Sequence, residues 1–315
     1  MKALYAAPRH SWGGMFEKLQ QSLPQYQWQA QEDYQIQSLH DIDVVIPTMS
    51  PITAELLRDA PQLKLIQQSG AGLEGVDIQA ARLQQIAVAN VPTEHSGNAD
   101  SVAELGIFLM LSLARQAKQI ATELAQQHLG HPLGTTLKGK TVGLVGVGGI
   151  GKALAKRLKA FEMTLIGVKR HADPKLASQL GMQWCAGMDG LDQLLQESDF
   201  LVFSLPDTPQ THHLLTTEKL QQVKPGAFLI NLGRGGLIDP DVLLQALRHG
   251  PLAGAGLDVF WQEPPDPKHP LFTENLIATP HIGGVTQLSM DGIFAAVVDN
   301  LNRLSAGQPL LYRAC

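Results

Sequence analysis

The sequence predicts an α/β protein with a doubly wound parallel sheet, and two observations favour that class. Short apolar, β-branched runs alternate along the chain with segments whose apolar residues recur at helical spacing. One of these runs, Thr141–Val145, continues without a linker into the glycine-rich turn Gly146–Gly151 and then into a helix. Strand, glycine turn and helix in direct succession are typical of the first unit of such a sheet.

Composition limits the classes to which the protein can belong. The 315 residues are enough for two domains, and 44% hydrophobic and 17% charged residues indicate a soluble globular protein. A net charge of −5 without a basic run argues against nucleic-acid binding. No uninterrupted apolar run reaches about 20 residues and no signal peptide precedes the first strand, so we expect no membrane span. The two cysteines, Cys185 and Cys315, lack metal-ligand spacing and favour a cytoplasmic location.

The first part of the chain has the pattern of a small β/α domain. Its predicted strands are Lys2–Ala7, Asp43–Pro47, Leu63–Gln67 and Ile86–Asn90, with a helix over Thr53–Arg58. The glycine-rich loop Ser69–Gly72 follows the third strand. Ligands of such sheets gather at the carboxyl ends of strands, so the loop is either an anion site or a plain strand-to-helix turn.

The second part begins after the polar segment Val91–Asn98, and one long helix is predicted over about residues 99–127. Five predicted strands follow Thr141–Val145, namely Met163–Val168, Asp199–Leu205, Ala227–Asn231, Gly254–Val259 and Leu276–Thr279. Helices are predicted between most of them, including Leu191–Glu197 and Asp241–Arg248. A last helix, Thr286–Leu304, should end at Gly307 and pack back onto the first domain.

The glycine turn has the spacing Gly146-x-Gly148-x-x-Gly151. Gly146 permits the tight turn, Gly148 lets the backbone approach a pyrophosphate, and Gly151 lets the helix pack close to the strand. The start of the helix presents free N–H groups and a partial positive charge. The context favours a dinucleotide site over the alternative, a structural glycine turn that binds nothing.

Three polar side chains follow later strands of this sheet. Arg234 stands between glycines after the strand that ends at Asn231, Glu263 follows the next strand, and His281 closes the last one. Such a set suits hydride transfer to a ketone beside a carboxylate. The arginine would bind the carboxylate and polarise the carbonyl, the histidine would exchange the hydroxyl proton, and the glutamate would orient it. Each residue alone also has an ordinary structural interpretation; their convergence favours catalysis.

The end of the second strand of this half predicts the choice of cofactor. An NAD-specific site usually has an acidic residue about 20 residues beyond the glycines, bonded to the ribose 2′-OH. Here Lys169-Arg170-His171 follows the strand, and the first acidic residue is Asp173. Two fixed positive charges predict NADPH as the preferred cofactor and NADH as a second one. The alternative is a solvated basic turn.

With these residues the chain resembles the D-isomer-specific 2-hydroxyacid dehydrogenases, and within them the glyoxylate/hydroxypyruvate reductases. The motifs that carry the resemblance are Ala99-x-x-Val102-Ala103-Glu104, Leu137-x-Gly139-Lys140-Thr141-Val142-Gly143, the glycine fingerprint, Leu205-Pro206-x-Thr208-Pro209-x-Thr211, Asn231-x-x-Arg234-Gly235-Gly236, Gly256-Leu257-Asp258-Val259-Phe260, Glu263-Pro264 and Pro280-His281-Ile282-Gly283-Gly284. The resemblance implies a Rossmann cofactor domain over residues 98–285. It also implies a smaller flavodoxin-like substrate domain from residues 1–97 and 286–315, and a homodimer built on the cofactor domain and its long helix.

The resemblance also implies roles for individual residues. It makes Arg234 substrate-binding and catalytic, Glu263 the partner of the base, and His281 the general acid/base in contact with substrate. Ala71 and Gly72 would offer backbone N–H groups to the substrate carboxylate. The cofactor would be bound by Gly146, Gly148, Gly149, Ile150, Gly151, Lys169, Arg170, Leu205, Pro206, Thr211 and Asp258, the last through the nicotinamide carboxamide.

Four departures from the family pattern matter. Lys169-Arg170 replaces an aspartate found in many relatives, and Gln127-His128-Leu129 stands where a tryptophan is frequent. Pro47 occupies the place of the phosphate-binding arginine of phosphoglycerate dehydrogenases, and we expect no regulatory domain after Cys315. The last two differences argue against the phosphoglycerate enzyme.

We therefore predict an NADPH-preferring reductase of small 2-oxo acids, with glyoxylate and hydroxypyruvate first and D-2-hydroxy acids as products. The alternatives are an NAD-linked dehydrogenase of another substrate, such as D-lactate, phosphite or formate, and a dinucleotide-sensing corepressor of the same fold. A catalytically inactive scaffold is a further alternative. The presence of Arg234, Glu263 and His281 argues against it.

Overall fold

The computed structural model describes residues 1–315, and strands and helices alternate over most of the chain. The strands are β1 (Lys2–Pro8), β2 (Gln27–Gln31), β3 (Val44–Ile46), β4 (Leu65–Gln67), β5 (Ala87–Ala89), β6 (Thr141–Val145), β7 (Thr164–Val168), β8 (Trp184–Ala186), β9 (Phe200–Phe203), β10 (Ala227–Asn231), β11 (Leu252–Leu257) and β12 (Leu276–Ala278). The helices are α1 (Met15–Ser22), α2 (Ala54–Arg58), α3 (Ile78–Leu83), α4 (Asn98–Ala114), α5 (Ala117–Ala125), α6 (Gly149–Leu158), α7 (Pro174–Leu180), α8 (Leu191–Glu197), α9 (Thr217–Leu220), α10 (Pro240–Arg248) and α11 (Gln287–Ser305). None of these helices has the length and apolar character needed to cross a membrane.

The chain divides into two compact units. One comprises Met1–Asn98 and Gly284–Cys315, and the other comprises Ala99–Gly283. The first contains a five-stranded sheet of order β2-β1-β3-β4-β5, and the second a seven-stranded sheet of order β12-β11-β10-β9-β6-β7-β8. All strand pairs are parallel, and in the second sheet the order reverses between β6 and β9. The predicted fold class, α/β with a doubly wound parallel sheet, is confirmed.

Both faces of the seven-stranded sheet are covered, as a parallel sheet requires. Successive side chains of a strand point to opposite faces, so Leu144 of β6 joins one apolar cluster and Val145 joins the other. Both side chains are buried, and each contributes about 1.5–3 kcal/mol through removal of apolar surface from water. This core holds β6 in the interior of the sheet, next to the central strand β9, and so places the glycine turn that follows it.

The five-stranded sheet is built in the same way and receives a helix from the end of the chain. Helix α11 packs Ile293, Val297 and Leu301 into the apolar cluster on one face. The Tyr26 hydroxyl donates a hydrogen bond of 2.7 Å to the carbonyl oxygen of Leu301. The helix ends as predicted, because Gly307 adopts a φ of 65° in the left-handed region that favours glycine.

The single helix predicted over residues 99–127 is wrong, because the chain forms α4 and α5 with a break at Gln116. Gln116 has a φ of 51°, and its side-chain amide donates to the Leu133 carbonyl at 2.7 Å. The Thr135 N–H donates to the Ala114 carbonyl, also at 2.7 Å. The residues that bond to the end of α4, Leu133 and Thr135, are therefore distant from it in sequence. Helical periodicity alone does not reveal where α4 ends.

Two further differences concern strands. Strands β2 and β8 were not predicted; both lie at sheet edges, where a strand has one neighbour and buries little apolar surface. The prediction that Asp258 lies within a strand is also wrong, because β11 ends at Leu257. The Asp258 N–H still donates to the Asn231 carbonyl at 3.1 Å, but its carboxylate bonds to the turn after β12.

Candidate active site

The glycine turn after β6 has the shape that a dinucleotide site requires. Gly146 has a φ of 106°, which strongly favours glycine, and a Cβ on Gly151 would lie 2.2 Å from the Gly146 carbonyl oxygen. A Cβ on Gly148 would meet nothing within 4 Å, so this side of the turn is open. Gly149 and Ile150 form the start of α6, whose N–H groups attract anions. The residues present thus fit a pyrophosphate.

The three polar side chains predicted at strand ends lie in the Ala99–Gly283 unit and follow neighbouring strands. Arg234 comes after β10, Glu263 after β11 and His281 after β12, and these strands are adjacent in the sheet. His281 Nδ1 lies 2.6 Å from Glu263 Oε2, and 28% and 21% of their side chains are exposed. The other oxygen, Glu263 Oε1, accepts the Phe260 N–H at 3.0 Å. The histidine is therefore oriented through a carboxylate that is itself fixed.

The electrostatics of this group favour an ionised glutamate beside the histidine. Burial by itself raises the pKa of Glu263, but the hydrogen bond and charge of His281, the hydrogen bond from Phe260 and the charge of Arg234 together outweigh it. The pKa of Glu263 therefore lies below its ordinary value. The ionised carboxylate thus offers His281 a hydrogen-bond acceptor at Nδ1 together with a compensating negative charge.

The turn that carries Arg234 is held by Asn231 at the end of β10. The Asn231 side chain donates to the Arg234 carbonyl at 2.8 Å and accepts the Gly233 N–H at 3.0 Å. A Cβ on Gly235 would lie 1.9 Å from the Phe260 carbonyl carbon, so glycine permits this turn to approach the loop that bears Glu263. Arg234 is half-buried, and its Nη1 donates to the Gly233 carbonyl at 2.8 Å.

The buried carboxylate of Asp258 binds the turn on which His281 stands. It accepts the Thr279 hydroxyl at 2.7 Å, the Ile282 N–H at 2.8 Å and the Gly283 N–H at 2.9 Å. Burial raises its pKa above the ordinary value, and these three bonds together with the charge of His281 offset part of that effect. His281 has a φ of 54°, an uncommon backbone conformation that surrounding bonds must hold. Contact of Asp258 with a nicotinamide carboxamide stays a prediction.

The basic pair after β7 contains an interaction that the sequence did not predict. Lys169 Nζ lies 3.5 Å from Asp173 Oδ2, while Asp173 Oδ1 accepts the Leu176 N–H at 3.0 Å and caps α7. The hydrogen bond from the Leu176 N–H has the largest effect on Asp173 and lowers its pKa. Burial acts in the opposite direction, and the contacts with Lys169 lower the pKa further. Arg170 is exposed. One of the two cations therefore already has an anionic partner.

The loop after β9 lies against the glycine turn. A Cβ on Gly146 would lie 3.0 Å from Leu205 Cδ2, and the Ser204 hydroxyl donates to the Gly146 carbonyl at 2.9 Å. Thr211 donates to the Pro206 carbonyl at 2.7 Å and closes this loop. Leu205, Pro206 and Thr211 thus belong to one loop that starts beside the glycine turn.

The loop with Ala71 and Gly72 belongs to the other unit and follows β4. The Asn90 side-chain amide donates to the Ala71 carbonyl at 2.7 Å, and the Val91 N–H donates to the Gly70 carbonyl at 3.0 Å. The N–H groups of Ala71 and Gly72 donate to no protein acceptor. Two adjacent N–H donors of this loop thus have no partner within the protein.

Comparison with known proteins identifies the family. The sequence model described as the D-isomer specific 2-hydroxyacid dehydrogenase, NAD binding domain, matches residues 107–283. A glyoxylate reductase of Thermococcus litoralis is 35% identical over 283 residues, which cover 87% of this chain and 83% of that protein. This chain is a D-isomer-specific 2-hydroxyacid dehydrogenase. As a member of that family it is a nicotinamide-dependent oxidoreductase.

Two further comparisons show how broad the family is around this dehydrogenase. A D-3-phosphoglycerate dehydrogenase of Methanocaldococcus jannaschii is 33% identical over 276 residues, covering 87% of this chain but 52% of that protein. This dehydrogenase thus spans about half the length of that relative. A crystal structure of a D-lactate dehydrogenase from Aquifex aeolicus, in complex with NAD and lactic acid, aligns over 98% of this chain and 96% of that one. Its TM-score is 0.86 at 25% identity.

Several residues that shape the site had no role assigned from the sequence. Thr279 and Asn231 bond to the turns that carry the polar set, and Ser204 bonds to the glycine turn. Each is a small polar residue at the end of an apolar strand. That position in the sequence is the feature from which these residues could have been predicted. Asn90, beside the Ala71 loop, shares that signal.

Proposed function

We propose that this dehydrogenase is an NADPH-preferring reductase of small 2-oxo acids and that it produces D-2-hydroxy acids. Glyoxylate and hydroxypyruvate are the substrates that we propose before any other 2-oxo acid. The observation that carries the proposal is the His281–Glu263 pair at 2.6 Å, with the charge of Arg234 acting on the same carboxylate. It combines a histidine, a residue suited to proton transfer, with a cation suited to a substrate carboxylate. The similarity to a glyoxylate reductase supports the substrate class.

In this mechanism the glycine turn and the start of α6 hold the cofactor phosphates. When bound, the nicotinamide supplies a hydride to the carbonyl carbon of the substrate. Arg234 binds the substrate carboxylate and polarises the carbonyl, and His281 donates a proton to the carbonyl oxygen. Glu263 stabilises the imidazolium before transfer, and the N–H groups of Ala71 and Gly72 also bind the carboxylate.

The preference for NADPH is proposed from the basic pair after β7. Arg170 is exposed and can form a charge-assisted bond to a 2′-phosphate, whereas Lys169 shares its charge with Asp173 at 3.5 Å. One such bond carries a factor of about 10–100 in affinity. We therefore expect a preference nearer tenfold than the hundredfold or more that two unpaired cations would produce.

The dehydrogenase is further proposed to be a cytoplasmic homodimer. Large apolar side chains are exposed on the two helices of the Ala99–Gly283 unit that precede β6, among them Phe108 on α4 and Ile120 and Leu124 on α5. An exposed apolar patch of this kind is typical of a subunit interface. Both cysteines are free thiols, which supports a reducing compartment.

The test is a steady-state panel with purified protein. Glyoxylate, hydroxypyruvate, pyruvate and a 3-phosphorylated 2-oxo acid are each assayed with NADPH and with NADH. We expect the highest kcat/KM for glyoxylate or hydroxypyruvate with NADPH. Higher kcat/KM for pyruvate or for the phosphorylated substrate would make the protein another dehydrogenase of this family, and equal kcat/KM with both cofactors would refute the preference.

A single substitution tests the catalytic assignment in the same assay. His281→Ala should lower kcat about 10²–10⁴-fold, the usual size of general acid catalysis, while NADPH binding measured by fluorescence is retained. A variant that keeps near-normal turnover would show that His281 is not the proton donor.

A further inference from the structure

We propose that Asn90 is a positioning residue of the substrate site, which fixes the direction of the Gly72 N–H. The inference rests on the proposed function, in which the N–H groups of Ala71 and Gly72 bind the substrate carboxylate. Asn90 itself does not contact the substrate in this proposal. It acts through the peptide bond between Ala71 and Gly72, whose carbonyl oxygen it binds.

The geometry of two consecutive peptide bonds supports this role. Both bonds are trans, and in a trans peptide the C=O and N–H groups point in opposite directions. The Asn90 amide binds the Ala71 oxygen at 2.7 Å, which directs the Gly72 N–H the other way. The Val91 N–H binds the Gly70 oxygen at 3.0 Å, which does the same for the Ala71 N–H. Two neighbouring residues thus orient two neighbouring donors.

The two donors of the loop are available to a ligand. Neither the Ala71 nor the Gly72 N–H has a protein acceptor, and Ala71 is exposed. The start of the loop is fixed separately, because the Gln68 side chain accepts the Ser69 N–H at 2.9 Å. Of the two donors, only the Gly72 N–H depends on a side chain for its direction, and that side chain is Asn90.

Asn90 is held in place by the end of the chain. Its N–H donates to the Tyr312 carbonyl at 3.3 Å, and the Ala314 N–H donates to the Val88 carbonyl at 2.7 Å. This segment pairs with the edge of β5 in antiparallel fashion. The Tyr312 ring also stacks on His95, with 5.4 Å between centroids. The amide that binds the Ala71 oxygen therefore projects from backbone that is fixed on both sides.

Loss of this anchor should affect one step of the reaction selectively. Without it the Ala71–Gly72 peptide can rotate, and ordering it again opposes binding of the carboxylate. The glycine turn and the pair of Glu263 and His281 lie in the other unit, and Asn90 bonds to Ala71 and Tyr312 instead. A positioning role therefore predicts weaker substrate binding with cofactor binding and proton transfer retained.

The experiment uses full-length Asn90→Ala and Asn90→Asp with Asn302→Ala as the matched control. Asn302 is an exposed asparagine of the same unit whose side chain bonds to Gln25, away from the loop. The Asp variant keeps the size of the side chain but cannot donate at neutral pH, so it tests the hydrogen bond if the Ala variant fails to fold. We measure KM and kcat for glyoxylate, NADPH affinity, and the binding of oxamate to the enzyme–NADPH complex by calorimetry.

Both Asn90 variants should raise KM and weaken oxamate binding by about 10–100-fold, the loss expected for a bond to a charged group. The kcat at saturating glyoxylate and the affinity for NADPH should change far less, and Asn302→Ala should match the unmodified enzyme. Unchanged KM and oxamate affinity in an enzyme that reduces 2-oxo acids would overturn the role of Asn90 and leave the proposed function intact. Equal losses in kcat and NADPH affinity would make Asn90 merely structural. If the unmodified enzyme reduces no 2-oxo acid, the proposed function fails and this inference with it.

Discussion

Replacement of Glu263 by glutamine tests the part that this carboxylate is proposed to play in proton transfer by His281. In the proposed mechanism His281 donates a proton to the carbonyl oxygen, and the negative charge of Glu263 offsets the charge of the donating imidazolium. Glu263→Gln removes that negative charge. The Phe260 N–H retains the amide oxygen as its acceptor, which turns the amide nitrogen towards His281 and places a donor against Nδ1. The variant should therefore reduce 2-oxo acids more slowly.

The size of the loss follows from the geometry of the pair. The contact of 2.6 Å joins two side chains that are each less than one-third exposed, so solvent screening is limited. A hydrogen bond between charged groups in such a place contributes about 1.5–3 kcal/mol. If the variant loses this contribution in the transition state, kcat should fall about 10–100-fold, because each 1.4 kcal/mol is about a factor of ten in rate.

The assay is kcat for glyoxylate reduction with saturating NADPH and substrate. Glu274→Gln is the matched control, because Glu274 lies in the same unit but pairs with Arg248 at 2.7 Å. Its kcat should match that of the unmodified enzyme. An unchanged kcat in Glu263→Gln, or an equal loss in the control, would refute the proposed coupling.

Three further predictions concern the other groups of the site. Arg234→Lys should raise KM for the 2-oxo acid at least tenfold in steady-state assays with little change in the Kd of NADPH, since lysine lacks the planar fork that binds a carboxylate through two bonds. Asp258→Asn should lower the free energy of unfolding in urea by about 1–3 kcal/mol and reduce kcat, because its new NH₂ group opposes backbone N–H donors of the turn that carries His281. Lys169→Asp combined with Arg170→Ala should reverse or abolish the preference for NADPH in kcat/KM, with little change in turnover at saturating cofactor; a retained preference would place the 2′-phosphate elsewhere.

Local patterns account for the parts that the sequence predicted well. Buried parallel strands appear as apolar runs, so β6, β9 and β10 could be located from the sequence to within a few residues. The glycine turn could be recognised because its requirements are local: Gly146 needs a positive φ, and Gly151 must lie against the carbonyl of Gly146. The edge strands β2 and β8 were missed because an edge strand buries too little to impose such a pattern.

The break in the helix shows what a local pattern cannot reveal. Residues 99–125 have helical periodicity, yet α4 ends at Ala114 because the segment around Thr135 supplies the donor for its last carbonyl group. Likewise, Asp258 was identified as a residue of the Gly256–Phe260 motif, but the three donors that bind its carboxylate come from residues 279–283. Both outcomes depend on chain segments that meet only after folding.

The sequence by itself determined the fold class, the glycine turn and the family, because these depend on periodicity and on glycines at fixed local spacing. It also determined that Arg234, Glu263 and His281 stand after strands of one sheet. Only the tertiary structure decided that Glu263 and His281 meet at 2.6 Å and that Asn90 binds the Ala71 carbonyl. The physical reason is that side chains 18 or 19 positions apart approach one another only through the order of the strands and the conformation of the turns between them. Hydrogen bonds between residues far apart in the sequence hold those turns, and neither composition nor spacing predicts these bonds.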